Sequence, residues 1–357
     1  MKRLVAVLLV VALFGVCSPA RADYNPVGSG QTKIQLDQSF VRLLARDGVR
    51  LRAVAPARLR GRTVSFPAVG GKFDPVTGQG TVEHEGAIVF QAGNRKIPLK
   101  QLKLRTTQKH APFSAKVGGS QLKIATVPGV RVSRAGFGDK VKTGDLALSA
   151  KLAVRLGKKL NRRDLFKPGL SIGRTTTTAL PETVFLLERG AATLTFDPGF
   201  TAKLQSLNVA VNPIFPAEHV GPVFTLPIFG GKLAPDASAG RVETSGAIEL
   251  LQLGGGQVFW KRPWLDVDSA SLTAEADVQP SPPYAGKIGL VPVAAMSIGG
   301  VTADPARRTI GAASTSLALD PGTADTFNQV FAAPEGKGAT FFGGEPVGTV
   351  SFTATAR

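Results

Sequence analysis

The sequence predicts an all-β protein built as two tandem copies of one domain, and three observations carry that prediction. The stretch FPAVGGKFDPVTGQGTVEHEGAIVF, Phe66 to Phe90, returns as LPIFGGKLAPDASAGRVETSGAIEL, Leu226 to Leu250, at a constant offset of 160 residues. The matched positions are mostly glycines, prolines and alternating apolar residues, which set turns and one face of a pleated sheet, and none is a usual catalytic group. Short runs with period-two alternation follow at the spacing of a sandwich or barrel. They are TVEHEGAIVF, LKQLKLRTT, SQLKIATV and GVRVSRA in the first copy, and RVETSGAIEL, QVFWKRPWLDV, SLTAEADV and VAAMSIGGV in the second. In TVEHEGAIVF, Val82, His84, Ile88 and Phe90 share one face, and Glu83 and Glu85 the other.

Taken in order, the chain opens as a cleavable secretory signal: Lys2 and Arg3, an apolar run from Leu4 to Val16, then Ala20-Arg21-Ala22. That run of about 13 residues is short of the ~20 that span a bilayer. The mature start is therefore expected near Asp23, with residues 1–22 removed and the product secreted, free or held at the cell surface. The single cysteine, Cys17, leaves with the signal, so neither disulfides nor thiolate metal sites are expected. Val16 before it is bulkier than a lipoprotein signal accepts. The remaining length suits two domains, 23–180 and 181–357.

Charge divides unevenly between them. Residues 23–180 hold 29 Lys and Arg against 9 Asp and Glu, whereas residues 181–357 hold 11 against 16. A basic first lobe attracts polyanions and steers anionic ligands. The expected partner is an anionic cell-envelope polymer or membrane surface, with a small planar ligand as a further candidate; nucleic acid is not expected. The competing reading is solubility, or attraction between the lobes.

Each copy opens with a short helix. In DQSFVRLLARDGV, Asp37 is a candidate N-cap, Phe40, Leu43 and Leu44 form an apolar face, and Gly48 is a stop. Asp197, Phe200, Leu204 and Val209 repeat Asp37, Phe40, Leu44 and Val49. Each copy closes with a strand, a short helix and a final strand: LALSAKLAVRLGKKLN then LFKPGLSIG, and LALDPGTADTFNQVF then FFGGEPVGTVSF. The first closing helix carries Lys158, Lys159, Arg162 and Arg163 beside an apolar stripe of Leu152, Leu156 and Leu160. It reads either as a solvated helix or as one that binds anions or a membrane surface.

The opening F-x-x-x-L helix, the FPxxGGxxDPxTGxGxVxHxGxIxF segment and the closing LxLxxxxxxxLN…FxxGxxIG together resemble the HtaA-type domain of actinobacterial secreted and surface proteins. The resemblance covers nearly the whole mature chain, twice. It implies a largely antiparallel β-sandwich with small helices in each lobe, and haem binding in some members, through a tyrosine near the opening helix and a histidine after the glycine-motif strand. Here Leu43 and Lys203 stand where the tyrosine would align, and Ala92, Gly93 and Asn94 where the histidine would be sought. Haem would then need another ligand, of which His84 and Tyr284 are candidates. A lone histidine on the apolar parity of a strand is more often a satisfied core residue, and Tyr284 lies in a proline-rich loop, PSPPYAGK.

Other chemistry is weakly signalled. GLSIG, Gly169 to Gly173, matches a nucleophile pattern, but a helix precedes it and a strand follows, the reverse of what that pattern needs. Asp266 and Asp268 share a face without further oxygen ligands, too few for calcium, and no metal site is expected. Trp260 and Trp264, four apart on a strand, are expected on one side, as core or as an aromatic platform for a flat ligand. The sequence thus points to an exported binding protein of the cell envelope without catalysis or cofactor. The alternative is haem or porphyrin capture with a non-standard axial ligand.

Overall fold

The computed structural model describes residues 25–74, 77–107, 110–279, 286–297, 300–331 and 339–357. The signal-like segment and Tyr284 lie outside them. In the first lobe the chain runs β1 (Asn25–Leu36), α1 (Gln38–Arg46), β2 (Val49–Val54), β3 (Arg58–Arg60), β4 (Thr63–Phe73), β5 (Gly80–His84) and β6 (Ala87–Ala92). It continues through β7 (Arg95–Thr106), β8 (His110–Val117), β9 (Ser120–Pro128), β10 (Val130–Ala135), β11 (Gly138–Leu148), α2 (Ala150–Leu160) and β12 (Ser171–Pro181). The second lobe repeats this as β13 (Val184–Phe196), α3 (Pro198–Ser206), β14 (Val209–Ile214), β15 (Glu218–Val220), β16 (Val223–Leu233), β17 (Gly240–Thr244) and β18 (Ala247–Gln252). Then follow β19 (Gln257–Asp266), β20 (Ser271–Gln279), β21 (Gly286–Met296), β22 (Val301–Asp304), β23 (Thr309–Leu319), α4 (Pro321–Val330) and β24 (Pro346–Ala356).

The class is all-β, with two sheets of the same strand order, β2-β6-β7-β5-β4-β1-β12-β11-β9-β8 and its counterpart from β14 to β20. Further pairings, β7 with β8 and β19 with β20, join the layers expected of a sandwich into an antiparallel ring of eight strands in each lobe. Closure leaves the ring without free edges. β2 and β6 extend from it as a flap, because β7 pairs with β6 through Lys100 and with β5 only from Lys103 onward. Gln101, at φ 48, makes the bulge between those two halves.

Local chemistry explains the breaks. TVEHEGAIVF is two strands, because Gly86 between them has φ +92 and a Cβ there would lie 2.5 Å from the Ala57 nitrogen. Its interior face still follows the alternation, with Val82, His84 and Phe90 buried. Asp197 and Asp320 cap α3 and α4 with their carboxylates, and Ser149 caps α2. Asp37 sits at the start of α1 but makes no side-chain cap; its carboxylate instead accepts the Ser171 hydroxyl at 2.5 Å.

Each ring encloses its own core. The first is built on Val64, Phe66, Val82, Leu104, Phe113 and Val141, with Leu152, Leu156 and Leu160 of α2 packed in as the stripe predicts. The second centres on Trp260, Phe200, Phe327, Phe331 and Phe341. Phe137, from the turn between β10 and β11, is buried in that second core.

Candidate functional site

His84 lies inside the first ring, 4% exposed. Its Nδ1 donates to the Leu102 carbonyl at 3.0 Å, and its Nε2 accepts from the Thr32 hydroxyl at 2.6 Å. Thr32 accepts in turn from Thr177 at 2.7 Å. Burial holds the imidazole down at about 4, against the upward pull of the Leu102 hydrogen bond and Glu83. Both ring nitrogens of this neutral histidine are committed to the interior, so ligation would require it to leave them. In the second lobe Thr244 takes the same place and donates to the Pro263 carbonyl at 2.5 Å. It borders an apolar cavity of ≈ 10 Å³, no larger than a single water needs.

The two tryptophans do not share a side. The register of β19 against β20 shifts between Lys261 and Trp264, with Arg262 at φ 45. That bulge inverts the alternation, so Trp260 points into the core, 2% exposed, while Trp264 is half-buried on the outside. Trp260 stacks on Phe327 at 5.7 Å. Trp264 lies under the Arg241 guanidinium at 4.6 Å, and Arg241 also pairs with Glu243 at 2.9 Å. A shared platform for a flat ligand is therefore not formed. Trp260 borders a separate cavity of ≈ 260 Å³ against α4, where the Thr323 hydroxyl is already donated to Pro292 at 2.9 Å.

The positions aligned with the family's tyrosine are both engaged. Leu43 is half-buried against the first core. Lys203 pairs with the Glu345 carboxylate and lies 5.7 Å and 5.9 Å from the Phe341 and Phe342 ring centres. Ala92 is buried, while Gly93 and Asn94 form an exposed turn. Asp266 and Asp268 accept from the backbone of Ser269 and Gly240 and so brace turns. Among the described residues no cluster of His, Cys, Asp and Glu could hold a metal ion.

The basic side chains stay at the surface. Lys158, Lys159, Arg162 and Arg163 are exposed; Arg162 donates to the Asp47 carbonyl at 3.0 Å and thereby ties the end of α2 to α1. Lys158 and Lys159 lie in the last turn of α2, and Arg162 and Arg163 follow its end. An open groove of ≈ 430 Å³ gathers Arg131, Lys142 and Arg174, of which Arg174 is already paired with Asp145 at 2.9 Å. Arg50, Arg52, Lys96, Lys100 and Lys116, which sequence reading did not single out, have no carboxylate within ion-pair distance among the described residues. No described helix is long and apolar enough to cross a membrane.

No family model matches the chain, and no curated protein matches it. Among solved structures it is similar to the N-terminal domain of HtaA from Corynebacterium glutamicum, at 15% identity and TM-score 0.37, over 48% of this chain and 99% of that one. It is also similar to the C-terminal domain of the same protein, at 12% identity and TM-score 0.36, over 43% of this chain and 98% of that one. These are domains of the type that the sequence motifs resemble.

Proposed function

We propose that the protein is an exported, non-catalytic binding protein of the cell envelope whose basic first lobe engages an anionic envelope polymer. The observation that carries this reading is the positive charge of that lobe, most of which has no ion-pair partner among the described residues. His84 and Ser171, which the sequence offers as a ligand and as a nucleophile, spend their side-chain polar atoms on internal hydrogen bonds. Haem capture, in which basic side chains would pair with propionates and a non-standard ligand would hold the iron, has no observation in its favour among the described residues.

The test is retention of the mature protein on purified anionic wall polymer, with a haemin titration alongside. The expected result is retention that salt reverses, because exposed charge pairing is screened, and a titration without a saturable Soret change. A saturable one-to-one spectral change, with no retention on polymer, would replace this reading with haem capture.

A further inference from the structure

Because the fold occurs twice, one surface can be compared with itself: the outer face of β2-β6-β7-β8 and its counterpart on β14-β18-β19-β20. Register decides which side chains share it. Arg50 lies beside Gln91, and Gln91 beside Lys96; Arg52, Val89 and Pro98 form the next row; Lys100 and Lys116 are direct partners in the third. All five cations are exposed, while Phe90, Ile97, Leu99 and Val117 on the opposite parity are buried. At ordinary strand spacing the five fall within a patch roughly 15 Å on a side. The carboxylates bordering it are Glu83, which Lys103 neutralises at 2.8 Å, and Glu85 in the turn between β5 and β6.

The second lobe presents the same rows with another content. Ala210, Asn212 and Gln257 stand where the first lobe has Arg50, Arg52 and Lys96, and Lys261 faces Glu275 where Lys100 faces Lys116. Its carboxylates are satisfied on the spot. Glu249 accepts from Asn212 at 2.8 Å and from Gln257, Asp277 from Lys261 at 2.6 Å, and Glu275 from Arg262 at 2.5 Å. Like charges directly opposite on a sheet destabilise it. The second lobe shows that the backbone accepts an opposite-charge pair at that point, so folding does not require Lys100 beside Lys116.

We propose that this face of the first lobe is the contact surface for a linear polyanion with a non-aromatic backbone, bearing phosphodiester or carboxylate charges. The proposal rests on the envelope-binding reading and names the surface that performs it. The side chains between the cations, Gln91, Val89 and Pro98, are half-buried and include no aromatic ring for a base to stack on. Val54 at the end of β2 is the exposed apolar side chain nearest the patch along that strand, too little to anchor the face in lipid. What the face offers is charge at regular intervals along paired strands, which suits a chain that carries its own charges at intervals.

The test compares the full mature chain with two variants of equal charge change. One combines Arg50→Ala, Arg52→Asn, Lys96→Gln and Lys116→Glu, the residues found on the equivalent second-lobe strands. The other combines Lys151→Gln, Lys158→Gln, Lys159→Gln and Arg163→Glu around α2. Binding of poly(glycerol phosphate) and of polygalacturonate is measured over a series of NaCl concentrations, and the tighter of the two identifies the charge type. The expected result is a loss of about tenfold or more in the face variant, with a log–log salt slope shallower by about three, as the loss of about four ionic contacts gives, and less than about twofold change in the α2 variant. Equal losses in both variants would overturn the assignment to this face while leaving a basic-lobe function standing. Tighter binding of phosphatidylglycerol vesicles or of a single-stranded oligonucleotide would overturn the polymer class. Failure of the parent protein to bind either polymer would remove the envelope-binding reading itself.

Discussion

Replacing His84 by threonine, the residue that the second lobe has there, separates the packing of the first core from its proton chemistry. In the fold, burial lowers the imidazole from its ordinary 6.5 to about 4. The unfolded chain therefore takes up a proton as pH falls through 6.5, while the folded one refuses it until about 4. Stability contributed by the neutral ring is complete above that window and is lost on descending through it. The gap corresponds to about 3 kcal/mol, of which about 2 kcal/mol is gone by about pH 5. In His84→Thr the new hydroxyl can still donate to Leu102, as Thr244 does to Pro263, but the ring's volume and the acceptor for Thr32 disappear. A fixed loss of about 1–3 kcal/mol near neutral pH follows. Urea unfolding of both proteins at about pH 7.5 and about pH 5 reads the two effects apart, since carboxylate titrations common to both cancel in the difference. Parent and variant losing the same stability between the two conditions would refute the buried neutral histidine.

Three further outcomes are expected. Lys116→Glu should stabilise the first lobe by about 0.2–1 kcal/mol in thermal unfolding at low salt, a gain that high salt erases, because it replaces the Lys100–Lys116 repulsion with the arrangement of Lys261 and Glu275. Asp139→Asn should flatten the pH dependence of stability in a different way. Burial pushes the Asp139 carboxyl from 3.8 up to about 6 against the pull of Arg134, so its contribution is present below 3.8 and lost as pH rises through about 6, which unfolding midpoints across that window will show. Lys203→Met should destabilise the second lobe by about 1–2 kcal/mol, because Glu345, one of whose carboxylate oxygens has no hydrogen-bond partner among the described residues, would lose its cation. Adding Glu345→Gln should recover most of that loss in denaturant unfolding.

Much of the architecture was legible because the residues that set it are chemically distinctive. The repeated glycines, the Asp197-led helix and the Leu152, Leu156 and Leu160 stripe each have few alternative explanations, and the structure uses them as read, whereas Asp37 leads its helix without capping it by its side chain. The ring closure was not legible, since the β7 to β8 pairing adds no turn or composition signal beyond an ordinary hairpin. The inversion at Trp264 was hidden for a related reason. It depends on Arg262 entering the left-handed region, and arginine gives no hint of doing so, just as Gln101 gives none in the first lobe. The cation face escaped notice because Arg50 and Lys96 lie far apart in sequence and meet only through β6. The alternation of Arg50 and Arg52 with buried or half-buried neighbours was the available signal.

Duplication also decides which differences between the lobes bear on function. Inside the ring, Thr32, His84 and Thr177 of the first lobe become Ala192, Thr244 and Phe352 of the second. The exchange is compensated: Phe352 adds a buried ring to the second core where the first has Thr177, Thr244 keeps the bond to the carbonyl, and a cavity of ≈ 10 Å³ remains. Two self-consistent cores have been reached by different routes, and the burial and internal hydrogen bonds of His84 are those of a packed core residue. On the outer face the exchange is not balanced in that way. One lobe pairs its charges internally, while the other holds five cations with no carboxylate at ion-pair distance among the described residues and places two of them side by side. A compensated difference needs no external explanation. An uncompensated one, maintained against electrostatic cost on a scaffold that demonstrably accepts the alternative, is where the proposed polyanion would supply the missing charge.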